Sequence, residues 1–210
     1  MSPIYLRNLA ISIVLLAVFV LTANSEARAD TVQLTVPNDP VAIGTGPFAD
    51  VTYVLNGNAI DVSVVGINPY TLFANGGPMF GFNVVGSTAG LTITNLVNCS
   101  VDGTDVQMSQ FGKFEFTVSG VTPPGTNSFS FTVTRTDGFS LASQLFENNS
   151  AGYAFAGHIY NPTGPVGAQS GFAGNGGTST VPEPGSMFLL GSGMVGAAGA
   201  LRRRFNKSRN

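Results

Sequence analysis

The sequence has no tryptophan, one cysteine and one histidine in 210 residues. A single cysteine, Cys99, excludes an intramolecular disulfide and leaves either a buried thiol or an intermolecular link. A single histidine, His158, cannot supply the histidine cluster of a usual zinc site. Without tryptophan, the residues left for stacking on sugar rings are Tyr53, Tyr70, Tyr153 and Tyr160. Charge is also scarce, and positive charge is almost missing from the middle of the chain. Between Asp30 and Pro184 ten acidic residues stand against Lys113 and Arg135, a formal charge of −8. No basic patch exists there to neutralise phosphates, so nucleic acid is not an expected partner. Neutral glycans and divalent cations suit this charge, whereas a polyanionic polymer needs a bridging cation.

The arginines are at the ends. Arg7 precedes an apolar run from Leu9 to Leu21, interrupted only by Ser12, and Ala27-Arg28-Ala29 follows as a small-x-small site with cleavage expected before Asp30. That order of features is an export signal. The apolar run falls short of the roughly 20 residues that span a bilayer core, so residues 1–29 read as a removable signal peptide. At the other end, Gly185 to Leu201 carries no charge, and Arg202, Arg203 and Arg204 follow at once. A flanking basic cluster stays on the cytoplasmic side. The tail is therefore expected to be a short transmembrane helix with the Asp30–Pro184 region outside the inner membrane.

Before that apolar segment stands Val181-Pro182-Glu183-Pro184. Each proline lacks an N–H donor and clashes with a preceding helical turn, and each biases the residue before it toward extended geometry. An acidic, extended peptide is thus expected at the outer membrane surface. The tripartite arrangement, with its arginine cluster, resembles the PEP-CTERM sorting signal. The resemblance implies recognition of Pro182, Glu183 and Pro184 by exosortase, an integral membrane transpeptidase-like enzyme. It also implies a Gram-negative host that makes exopolysaccharide, and an inner-membrane intermediate that ends at the cell surface, outer envelope or extracellular matrix. Residues 181–204 form the signal, and 205–210 a short basic tail.

Residues 30–160 are rich in short alternating runs broken by Gly, Pro, Asn and Asp, which predicts strands and few helices. The expected strands are 32–36, 49–55, 59–65, 79–85, 91–96, 113–119, 128–135 and 153–160, with one short helix at 141–147. Asn56-Gly57 marks a hairpin. Phe114, Phe116 and Val118 read as one face of a strand, and Phe129, Phe131 and Val133 as the matching face of its antiparallel neighbour. Eight short strands predict an all-β fold, an antiparallel β-sandwich or jelly roll. Residues 111–161 are loosely similar to a body domain found among PEP-CTERM proteins, in which paired strands precede an alanine-rich strand carrying a histidine, here Phe155 to Ile159. That similarity implies a fold and no activity. Residues 161–180 contain six glycines, two prolines and no charge, a composition expected of a flexible spacer. Phe172 alone could pack back on the domain.

Catalytic signals are missing. Gly167 to Gly171 reads GAQSG, with serine one place late for a nucleophile elbow, and no glycine cluster continues into Gly-Lys-Ser/Thr. Asp102 and Asp105 share an expected turn and are the candidate cation ligands, but calcium takes six to eight oxygens, and Asp and Gly also simply build turns. His158 in YAFAGHIY reads as a structural histidine. No cofactor is expected beyond that calcium option. The expectation is therefore a non-enzymatic surface or matrix protein, structural or interacting, associated with exopolysaccharide. The alternatives are a glycan- or calcium-binding module, marked by an exposed aromatic patch or converging carboxylates, and a hydrolase, which requires paired carboxylates across a cleft.

Overall fold

The computed structural model describes residues 29–75 and 77–176. Alternation becomes strand wherever one face can be buried. In β1 (Ala29–Pro37) Val32 and Leu34 point inward, in β2 (Ala49–Asn56) Ala49, Val51 and Tyr53, and in β3 (Ala59–Gly66) Ile60, Val62 and Val64. The turn between β2 and β3 is Gly57-Asn58, with Asn56 opposite Ala59. Gly57 has φ 60° and Asn58 is not among the residues of positive φ, which is the pattern of a type II′ turn with glycine first. Between β1 and β2, Asp39 caps a one-turn helix, α1 (Pro40–Ile43), by accepting from the N–H groups of Val41 and Ala42.

The remaining strands are β4 (Thr71–Leu72), β5 (Phe80–Phe82), β6 (Thr92–Val97), β7 (Cys99–Gly103), β8 (Val106–Gln107), β9 (Lys113–Phe114), β10 (Phe116–Gly120), β11 (Ser128–Thr134), β12 (Phe155–Tyr160) and β13 (Ser170–Asn175). All pairings are antiparallel, and one sheet runs β6-β11-β3-β2-β1-β13-β12-β5-β10-β7, with β4 on β12 and β8-β9 as a separate ribbon. The two ends of that path, β6 and β7, are joined in sequence through Asn98 alone. The sheet therefore folds back on itself as a sandwich. Phe80 and Phe82 of β5 meet Phe129 and Phe131 of β11 across the core, at ring separations of 5.6 Å for Phe80–Phe129 and 5.3 Å for Phe82–Phe131. The outer strands are blunted by irregularities. Asn95 (φ 51°) and Asn98 (φ 56°) interrupt regular pairing, and their side chains bond back to Thr132 Oγ1 and the Ser128 carbonyl. Bulges of this kind turn a free edge away from pairing with another chain.

The all-β reading stands, and each of the eight expected runs contains strand. Four details change. First, β10 and β11 are not neighbours: β10 pairs with β5 and β7, and β11 with β3 and β6. Their phenylalanines supply opposite walls of the core instead of one. Second, the row Phe114, Phe116, Val118 is broken at Glu115, whose N–H donates to Asn83 Oδ1 (3.1 Å) outside any ladder. Phe116 then packs on the main core, while Phe114 joins Met108, Phe111 and Ala156 in a separate cluster. Third, the expected helix shortens to a 3₁₀ turn, Ala142–Leu145, because one isolated turn gains too few hydrogen bonds to propagate.

The fourth change is the largest. Residues 161–180 are not a spacer throughout: Ser170–Asn175 is β13, hydrogen-bonded to β1 on one side and β12 on the other. Its glycines bury little surface of their own but let others close over the sheet. A Cβ on Gly174 would sit 2.6 Å from Phe111 Cδ1, and one on Gly81 of β5 would sit 2.7 Å from Phe114 Cγ. The missing side chains are where the outer aromatic cluster lies flat on the strands. Phe172 does pack back, against that cluster.

Candidate functional site

Of the export and sorting residues, Ala27, Val181, Pro182, Glu183, Pro184, Arg202, Arg203 and Arg204 lie outside the described residues, as does the expected transmembrane segment. Among the described residues no helix is long and apolar enough to cross a membrane. Ala29 and Asp30 are the first residues of β1, opposite Val54 and Tyr53. Cleavage before Asp30 would thus fall at the first residue of the strand and remove a single pair. Tyr53 is buried, and burial together with the Asp30 charge pushes its hydroxyl up to about 12.

Asp102 and Asp105 do not converge. Asp102, on β7, accepts from Thr117 Oγ1 at 3.0 Å. Asp105 sits at φ 56° before β8 and pairs with Lys113 Nζ at 2.8 Å, both side chains exposed. The turn sends one carboxylate back to β10 and the other to the β8–β9 ribbon. Among the described residues no group of three or more His, Cys, Asp or Glu could hold a metal ion. An open cleft of about 360 Å³ lies alongside, lined by Thr88, Thr104, Asp105, Glu115 and Phe116. The Glu115 carboxylate is held by the Val84 N–H at 2.9 Å. The cleft therefore offers hydroxyls, an ion pair and one ring, with one carboxylate committed to the lysine and the other to backbone.

His158 lies on the outer face of β12, its ring between Phe73 (centroids 4.0 Å) and Phe172 (4.2 Å, interplanar 8°). Desolvation by these rings lowers its pKa to about 4. Phe172 takes that place because β13 sets it directly opposite His158. A neutral His158 has a consequence for acid stability. Unfolded, the imidazole titrates near 6.5, so between about pH 6.5 and 4 the unfolded chain binds the proton that the native chain refuses. Stability should be unaffected by this group above that window and decline as pH falls through it, by roughly 1–3 kcal/mol after allowance for partial exposure. Urea midpoints measured from pH 7 to 4 should slope less in His158→Phe than in the parent. Parallel slopes would show that the ring is not desolvated.

Cys99 opens β7 and is half-buried; its thiol donates to the Ser130 carbonyl at 3.4 Å, and burial raises its pKa. The residue that sequence reading missed is Asn175, the last of β13. It is 1% exposed, and its Oδ1 accepts from the N–H groups of Ala154 and Phe155, each at 2.9 Å. Its Nδ2 has no partner among the described residues. An asparagine within a glycine-rich run gives no signal of burial, since such runs usually read as turns.

In the comparison with known families, residues 180–204 fit the PEP-CTERM protein-sorting motif. The match covers the tail and leaves the β domain outside it. No curated protein and no solved structure matches this chain. The tail is a sorting signal of the kind that addresses an exported protein to exosortase and the cell surface.

Proposed function

We propose that this chain is a non-catalytic β-sandwich displayed at the cell surface or in the extracellular matrix, released from an inner-membrane intermediate by exosortase acting at its tail, and associated there with exopolysaccharide. The observation that carries the reading is the sorting motif at residues 180–204, placed only a few residues beyond a domain whose last strand ends at Asn175. A strongly acidic domain with blunted edge strands suits a hydrated polymer matrix, because like charge and irregular edges oppose aggregation. Val181 to Pro184 serves as the recognised peptide, Gly185 to Leu201 as the membrane helix and Arg202 to Arg204 as the cytoplasmic stop.

The decisive measurement is the intact mass and C-terminal peptide of the protein from its native host, with and without the exosortase. The expected product begins at Asp30 and ends near Val181–Gly185 in the wild-type host, and keeps Asn210 in the deficient one. Replacing Pro182 and Glu183 by alanine should reproduce the deficient pattern. Full-length chain in the inner membrane of the wild-type host would overturn the proposal.

A further inference from the structure

The place of β13 constrains how the sorting tail is offered. β13 is an interior strand, bonded to β1 and β12, and its Phe172 completes the stack on His158. Its end is fixed as well. Asn175 is buried and holds two N–H groups of the chain entering β12, while the next residue, Gly176, has no room for a side chain beside Thr35 Oγ1 and Val36. Five residues, Gly176 to Thr180, then separate this latch from Val181. Five residues reach at most about 17 Å when fully extended. Read as a twenty-residue spacer, the same sequence would reach several times further.

We infer that the docked last strand acts as a ruler: the folded domain itself limits how far the Pro-Glu-Pro peptide can be drawn into the processing enzyme, and the five-residue tether is close to the minimum that permits processing. This rests on the processing role proposed above. An enzyme that cuts an extended peptide must hold several residues on each side of the bond, and β-type recognition uses main-chain hydrogen bonds over such a stretch. A residue committed to the β1–β13–β12 ladder cannot make them. Shortening the tether should therefore block processing, and releasing β13 should restore it by freeing the six residues Ser170–Asn175.

The test uses the full chain in its native host, with the C-terminal peptide measured by mass and the fold by protease resistance of the domain. Deleting Gly177-Thr178-Ser179, which lie outside the matched motif, should leave a protease-resistant domain whose processed fraction falls to background. Adding Gly174→Val, whose side chain would collide with Phe111 and Tyr153, should expel β13 and restore processing of the shortened chain. A flexible ten-residue insertion after Gly176 should be processed at least as well as the parent. Normal processing of the deletion variant with its domain intact would overturn the ruler. So would failure of Gly174→Val to rescue it, because the enzyme would then be reading the deleted residues themselves. Failure of the parent chain to be processed at all would instead strike the sorting role.

Discussion

Replacing Phe82 with alanine is expected to lower the unfolding free energy by about 3–5 kcal/mol, the range for deleting a buried aromatic ring. Phe82 is fully buried at the end of β5, in register with Phe116 on one side and Phe155 on the other. Its ring stacks on Phe131 across the sandwich at 5.3 Å and on Phe116 at 5.6 Å. Alanine loses the transfer free energy of the ring and leaves a cavity between two sheet walls. The surrounding strands are tied by ladders on both sides and cannot close it. Whole domains are stable by only about 5–15 kcal/mol, so the loss is a large fraction of the total. Equilibrium urea unfolding measures it, with Val65→Ala, at a position 45% exposed, as a control expected to stay within about 0.5 kcal/mol. A Phe82→Ala loss under about 1 kcal/mol would show that the two walls do not meet there.

Asn175→Ala should be nearly as damaging, at roughly 2–4 kcal/mol, for a different reason. The substitution removes little apolar surface but strips the acceptor from two buried N–H groups, those of Ala154 and Phe155. A buried donor left unpaired forfeits its full desolvation, about 1–3 kcal/mol each. The signature that separates this from a packing defect is local. Amide exchange should accelerate first at the β12–β13 junction, with β2–β3 still protected. Uniform acceleration across the sheet would sink the latch assignment.

How far the sequence reveals this protein depends on which force places each residue. The strands that bury one face carry alternation, so Val32 and Leu34, Ile60 to Val64 and Phe129 to Val133 could be read directly. Partner choice could not. Two rows of phenylalanine look alike whether they lie side by side or face each other across a core, and only the long-range pairing of β10 with β5 and of β11 with β3 decides it. β13 was hidden because its contribution is backbone hydrogen bonds and the absence of side chains, and composition scores both as disorder. The tail is the opposite case. Its meaning lies in local order along the chain, with a motif, an apolar run and a basic cluster in succession, and no fold is needed to see it. Asp102 and Asp105 show the limit of spacing arguments, since a turn that brings two carboxylates near in sequence sent them to different partners.

The neighbour relation of β1 and β13 also sets a schedule. A chain that emerges amino end first can pair β1, β2 and β3 early, for these are adjacent in both sequence and sheet. The other side of β1, and the far side of β12, stay open until Asn175 has appeared, some 140 residues after Thr35. The sheet thus stays gapped until β13 has been made, and contacts this distant in sequence form late. Closure arrives almost together with the sorting tail. A chain built in this order cannot close its sheet until the residues just ahead of the sorting motif have been made.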